Sequence, residues 1–300
     1  MREPSPLVST PSDHATIAVV IVNYNSGSYL ARCVGSLSDG CAPSVWDAVV
    51  VDNLSTDGSE GVAAGHSAGV RLVRAGRNLG FAAAANLGVR STRAPYVLLL
   101  NPDAWLTPGC LQGLVDELAT RPDCAIVAPL VVNEDGTPQG NARGDPTMIT
   151  GLLGRTSLVR RLFPRWPGAA RQVMPSEAAG AEPSVEVDWV SGACCLVRRR
   201  AFEDVRGFDE GYFLYWEDAD LCRRIRQQGG RIRFRPDPAA PVVHAVGRSS
   251  EGAGAEAIHA FHDSAYRYYA THVAPGRFSP ARWIAWLLLK ARAQILNATR

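Results

Sequence analysis

The chain of 300 residues has little lysine, little net charge and no long apolar run. Lys290 is the only lysine, so nearly all the basic charge is arginine, whose planar guanidinium suits paired contacts to phosphate. A formal net charge of +2 is too small for a field that gathers polyanions, and nucleic acid is not expected as a partner. No stretch reaches the roughly 18 uncharged apolar residues that a transmembrane helix needs. Residues 1–15 are polar and proline-bearing, lack the apolar centre of a signal peptide, and read as a disordered leader. The seven cysteines are odd in number and contain no C-x-x-C pair. That excludes a simple disulfide framework or thiolate metal site and points to reduced thiols in a cytoplasmic protein.

What is present is an ordinary globular composition, 46% hydrophobic, enough for one large α/β domain. Ile17–Val22 is an unbroken apolar run, as expected of a parallel strand covered on both faces. Further strands are expected at Asp47–Val51, Val70–Arg74, Tyr96–Leu100 and Arg231–Arg235. Helices are expected at Tyr29–Leu37, Phe81–Val89, Asp218–Gln228, Ala257–His272 and Ala281–Ala298. Another runs to about Thr120, with Thr107 as N-cap and Pro108 at its first position. This alternation predicts a mostly parallel sheet flanked by helices, with ligands at the carboxyl ends of its strands. Residues 136–183 are rich in Gly, Pro and Arg and read as a mobile insertion.

Polar residues cluster where the strands end. Asp52 follows a buried run and is placed to accept from a pyrimidine N–H, or simply to form turns with Ser55 and Asp57. Arg77-Asn78-Leu79-Gly80-Phe81 leads into an alanine-rich helix with Asn86, suited to close approach of a nucleotide or to tight helix packing. Asn101-Pro102-Asp103 closes the run Val97–Leu100, and His244 closes Pro241-Val242-Val243; a carboxylate and a neutral imidazole are both metal ligands. Trp216-Glu217-Asp218-Ala219-Asp220 opens a helix. Its acids complement the helix dipole, which also keeps a carboxylate ionised to accept a proton.

These segments, with Val19–Asn25, Val51–Ser59, Trp189–Ala193 and Gly207–Glu210, occur in one order. Together, over roughly residues 17–275, they resemble family 2 glycosyltransferases with the GT-A fold, particularly the rhamnosyltransferase-like branch. The resemblance implies a catalytic domain over 16–275. Asn23, Asp52, Arg77, Asn78, Gly80, Asn86, Asn101 and Asp103 would bind a dTDP- or UDP-linked sugar. Asp103 and His244 would hold Mg2+ or Mn2+. Asp218 would be the general base with Glu217 beside it, and Arg143, Trp189, Gly192 and Trp216 would face the acceptor. Asn101 stands where the family usually has a second aspartate, which leaves strict metal dependence open.

The implied activity is inverting transfer, with L-rhamnose from dTDP-L-rhamnose as the leading choice. The acceptor would be a glycan or a polyprenyl-diphosphate-linked molecule in bacterial cell-wall or surface-polysaccharide synthesis. Transfer of galactofuranose, glucose or N-acetylglucosamine from UDP is the nearest alternative, and a non-catalytic nucleotide-sugar-binding protein the one from another class. A membrane scaffold would leave the ordered acidic motifs without a purpose. Residues 276–300 read as an amphipathic helix in which Trp283, Trp286 and several leucines accompany Arg282, Lys290 and Arg292. That pattern suits the inner membrane surface, the domain itself or a second subunit of an oligomer.

Overall fold

The computed structural model describes residues 16–42, 44–65, 69–145, 184–245 and 254–298. The expected leader, and most of the expected insertion, lie outside the described residues.

The first unit is β1 (Ile17–Asn23), α1 (Tyr29–Gly35), the single turn α2 (Leu37–Gly40) and β2 (Trp46–Asp52). There follow α3 (Gly61–Gly65), β3 (Val70–Arg74), α4 (Phe81–Arg90), β4 (Tyr96–Leu100), β5 (Ala104–Leu106) and α5 (Cys110–Thr120). Next come β6 (Cys124–Pro129), β7 (Val131–Val132), β8 (Ala142–Arg143), β9 (Val185–Glu186), β10 (Trp189–Val190) and β11 (Cys194–Arg198). The chain then forms α6 (Arg199–Asp204), α7 (Glu217–Gln227), β12 (Arg231–Arg235) and β13 (Val242–His244). It closes with α8 (Gly254–Tyr268), a π-helical turn (Tyr269–Val273) and α9 (Pro280–Ala298).

Eight strands form the central sheet in the order β3-β2-β1-β4-β11-β6-β12-β9. The first four run parallel, as the βα alternation requires. The sheet is nonetheless mixed: β11 is antiparallel to both β4 and β6, and β9 to β12. Two small sheets, β10-β8 and β5-β13-β7, stand beside it.

Every residue of β1 is buried, because each face of the sheet has its own apolar layer. Val20 and Val22 turn toward Val49, Val51 and the alanines of α4. Ile17, Val19 and Ile21 turn toward Leu30, Val34, Leu98 and Leu114. Each such side chain contributes about 1.5–3 kcal/mol through burial. Helix α4 lies so close to the sheet that a Cβ on Gly88 would meet Val20 Cγ1 at 2.5 Å. All seven cysteines are free and buried, and burial pushes the thiols of Cys41, Cys110, Cys124 and Cys222 up to about 12.

Several local expectations need correction. Helix α5 starts at Cys110, not at Pro108, and the Thr107 hydroxyl donates to the Pro241 carbonyl at 2.6 Å instead of capping it. The first expected helix breaks at Ser36 into two pieces. Helix α7 begins at Glu217, one residue earlier than expected, behind the left-handed Trp216. No helix among the described residues is long and apolar enough to cross a membrane.

Candidate active site

The parallel pairing of β1 and β2 sets Asn23 opposite Asp52 at the carboxyl edge of the sheet. Both are buried there, and their polar groups must find partners. Asn23 Nδ2 approaches Asp52 Oδ1 at 3.2 Å, Ser55 Oγ at 3.0 Å and Ser59 Oγ at 2.9 Å. Ser26 Oγ donates to the other end of the same amide, Asn23 Oδ1. The Ser55 N–H also donates to Asp52 Oδ1, so the carboxylate is held in one orientation at the carboxyl edge of the sheet.

Asn53, not singled out from sequence, ties the next segment down. Its Oδ1 accepts from the Leu79 N–H at 2.8 Å and its Nδ2 donates to Asn78 Oδ1 at 2.9 Å. Asn78 Oδ1 also accepts from the Gly80 N–H at 3.0 Å. The tight approach that Gly80 permits is to protein: a Cβ there would stand 2.4 Å from the Phe213 carbonyl oxygen, and its φ is +78°. Arg77 sits exposed on this same turn.

Beyond β4, antiparallel pairing of β5 and β13 sets His244 opposite Ala104, and so beside Asp103. Asp103 is 1% exposed, and its Oδ1 lies 3.2 Å from His244 Nε2. The other ring nitrogen, Nδ1, faces Gln139 Oε1 at 2.9 Å. Gln139 Nε2 donates to the His244 carbonyl and to Asn133 Oδ1, which fixes Oε1 as the atom facing the ring. An amide oxygen only accepts, so Nδ1 carries a proton toward Gln139 and Nε2 faces Asp103 and Asn101. A buried carboxylate beside an imidazole whose Nε2 is turned to the same point fits a divalent cation. No group of three such ligands exists among the described residues, so the remaining positions would fall to phosphate oxygens and water.

The acidic cluster at the start of α7 divides into three environments. Asp218 Oδ2 accepts from the Gly192 N–H at 3.1 Å, and Oδ1 from the Ala219 N–H at 2.8 Å. Glu217 is buried, with no partner for Oε2 among the described residues. Burial, reinforced by the Asp218 charge, pushes its carboxyl well above the ordinary range. Asp220 is committed to structure: Arg224 Nε at 2.7 Å and His272 Nε2 at 2.7 Å take its two oxygens. Tyr215 and Trp216, just before the cluster, both have left-handed backbones, at φ 69° and 70°. Such strain costs about 1–3 kcal/mol per residue and concentrates at functional sites.

Two expected site residues face elsewhere. Asn86 spends its amide on the Phe208 backbone, at 2.9 Å in both directions, and on Glu210. It braces the Gly207–Glu210 turn and is not turned to a ligand. The Trp216 ring packs on Phe261 and Tyr268 of α8, with centroids 5.8 Å and 5.4 Å away, and serves as core between helices. Arg143 and Trp189 are partners across β8 and β10, the guanidinium 5.4 Å from the indole ring.

The model of the family described as "Glycosyl transferase family 2" matches residues 18–206. The chain is 34% identical to the N-acetylglucosaminyl-diphospho-decaprenol L-rhamnosyltransferase of Mycobacterium tuberculosis, over 93% of this chain and 92% of the relative. Among solved structures, it resembles the mannosyltransferase PcManGT of Pyrobaculum calidifontis in complex with GDP-Man and Mn2+. That likeness has a TM-score of 0.58 and 20% identity, and covers 99% of this chain and 74% of the other. GalNAc-T7 with UDP, GalNAc and Mn2+ superposes with a TM-score of 0.56 at 16% identity, over 87% of this chain and 57% of the other.

Proposed function

The chain belongs to glycosyl transferase family 2 and is a glycosyltransferase of the GT-A fold, and we propose that it inverts the sugar it transfers, with Asp218 as general base. The observation that carries this is the double role of one stretch of backbone. The Gly192 N–H binds Asp218, while the neighbouring Ala193 carbonyl accepts from the Asn101 N–H at 3.0 Å. Base and diphosphate-binding segment therefore flank a single strand end.

The acceptor hydroxyl oxygen attacks the anomeric carbon as the bond from that carbon to the diphosphate breaks on the opposite face. The hydroxyl proton passes to Asp218, and the nucleoside diphosphate leaves. The Gly192 N–H aims the carboxylate, which stands at the start of α7. Glu217, whose carboxyl is pushed well above the ordinary range by burial and by the Asp218 charge, is biased toward the neutral form beside the base. Asp52, clamped by Asn23 and Ser55, receives the nucleobase, with Arg77 and Asn78 on the same side. Asp103 and His244 hold a divalent cation, Mg2+ or Mn2+, which when bound offsets the charge of the departing diphosphate. Gly192, Trp189 and Arg143 border the acceptor.

Likeness to the mycobacterial relative supports L-rhamnose as the sugar and a polyprenyl-diphosphate-linked saccharide as acceptor; dTDP-L-rhamnose is the donor we propose. The work would then be cell-wall assembly at the cytoplasmic face of the membrane. Residues 16–275 are taken as the catalytic unit, 136–183 as an insertion within it and 276–300 as an appended helix. The test is thermal shift with dTDP-rhamnose and UDP-sugars, with Mn2+ and with EDTA, alongside transfer assays of Asp218→Asn. A metal-dependent shift with dTDP-rhamnose, and a variant that binds donor but does not transfer, are expected. Transfer by Asp218→Asn at the wild-type rate would remove Asp218 from its role.

A further inference from the structure

Among the described residues, helix α9 packs on the protein by one side only. Ala285, Leu289 and Ala293 are buried along it, the spacing of a single helical stripe, and the helix packs on α8. The opposite side is apolar and exposed: Trp283 is 63% exposed, Leu287 59% and Ile295 62%, with Ile284 and Leu288 between them. At 100° per residue this outer face spans about 140° of the helix, from Trp283 round to Leu288. Phe278, at 92%, extends the patch beyond the helix start. Singly exposed apolar residues are ordinary, but a contiguous face of this kind marks a binding surface.

The charge around the patch says what kind. Residues 276–300 contain Arg277, Arg282, Lys290, Arg292 and Arg300 and no aspartate or glutamate. On the helical projection Lys290 falls between Trp283 and Trp286, while Arg292 borders the opposite edge beside Leu288. Lys290 is paired with Asp263 of α8, so the match to an anionic bilayer surface rests on exposed Arg277 beside Phe278 and on Arg292 at the far edge of the face. Tryptophan at the margin of the apolar face is the residue that settles at the headgroup level.

We infer that the outer face of α9 docks the protein on an anionic lipid surface, the helix lying in the plane of the interface. The link from there to the chemistry is a chain of direct contacts. Lys290 Nζ is bound to Asp263 of α8 at 2.7 Å, and Arg292 Nη1 lies 2.7 Å from His262. Ser264 of α8 donates to the Leu214 carbonyl at 2.9 Å, and Phe261 and Tyr268 grip Trp216, the residue before Glu217 and Asp218. His272 of the π-helical turn binds Asp220 in the first turn of α7. A docked α9 therefore fixes the orientation of the catalytic helix relative to the bilayer.

This deepens the lipid-linked acceptor reading and rests on it for its purpose, but lipid binding can be read without any sugar transfer. The experiment is co-sedimentation of the full chain with vesicles of phosphatidylglycerol and phosphatidylcholine, against vesicles of phosphatidylcholine alone. The native protein should sediment with the anionic vesicles, and Trp283→Glu/Leu287→Glu should reduce the partition at least about tenfold. Both positions are exposed, and an unchanged melting temperature checks that the variant is folded. Quenching by bromine-labelled lipid should be lost in part in Trp283→Phe, which keeps the apolar face. Equal sedimentation of native and double variant, or none by either, overturns the inference. So does light scattering that finds a vesicle-free dimer abolished by the double variant, since the face would then belong to a second copy. Loss of transfer to a water-soluble acceptor in the native protein would strike the functional reading and leave the docking result standing.

Discussion

Gly192 and Asp218 are joined by a hydrogen bond of 3.1 Å from the backbone N–H of the first to the carboxylate of the second. The bond needs no side chain at residue 192, and a Cβ there would find its nearest neighbour, the Asp218 Cβ, at 3.8 Å. Gly192→Ala should therefore keep the fold and the bond to Asp218, so that any loss falls on the KM for acceptor and not on kcat. Gly192→Pro, which lacks the N–H, should lower kcat by about 10²-fold or more with little change in donor affinity. Steady-state kinetics beside calorimetry of donor binding separates the two effects. A proline variant with native kcat would show that the base does not depend on this bond.

Glu217 sets a pH dependence of stability with a definite sign. Its folded-state value is raised by burial and by Asp218, so the folded protein binds this proton more tightly than the unfolded chain. The contribution to stability is complete below the unfolded value, about pH 4.3, and is lost as pH rises toward the folded one. In that interval the native protein should lose up to about 1.4 kcal/mol per pH unit from this group. Glu217→Gln cannot ionise and should lack the slope. Urea unfolding of both proteins from about pH 5 to about pH 8 should give curves that diverge with pH; parallel curves would mean that Glu217 is ionised in the fold.

Gln139 holds the imidazole of His244 in the tautomer that presents Nε2. Gln139→Leu should weaken Mn2+ binding by about 10–100-fold. Titration followed by electron paramagnetic resonance measures that directly, and nitrogen chemical shifts of His244 should show a mixture of tautomers. Unaltered shifts together with unaltered affinity would assign Gln139 to the loop alone.

Gly80 combines a left-handed backbone with a contact no side chain can share. Gly80→Ala should cost about 2 kcal/mol or more, from strain at φ +78° and from displacement of the Phe213 carbonyl. The hydrogen bond from the Phe81 N–H to that carbonyl, 2.8 Å in the native fold, would be weakened with it. Chemical denaturation measures the loss. A change below about 0.5 kcal/mol would mean that the turn relaxes freely.

The strand ends that build the site were legible because two-sided burial writes itself as unbroken apolar runs. The runs ending at Asn23, Asp52 and Asn101 stop at the carboxyl edge of the sheet, where the candidate site residues stand. The reversal of β11 was not legible, since a strand buried on both faces has the same composition in either direction. Nor did a motif reveal which partners its side chains hold: Asn86 and Trp216 lie within motifs of the family, and one is engaged by Phe208 and the other by Phe261 and Tyr268. Gln139 escaped notice because its meaning comes from a partner 105 residues away. Thr107 looked like a cap because the sequence around it has the right residue types, but tertiary packing offered its hydroxyl the Pro241 carbonyl instead.

All seven thiols are sequestered in the interior, and burial pushes them toward the neutral, unreactive form. Alkylating reagents act on the exposed thiolate, so the folded chain should take up almost no maleimide. A single cysteine introduced on the outer face of α9 would consequently be the sole target of a spin label or fluorophore, with no need for a cysteine-free background. The protein thus comes equipped for distance measurements between its C-terminal helix and a membrane, in its native sequence but for one residue.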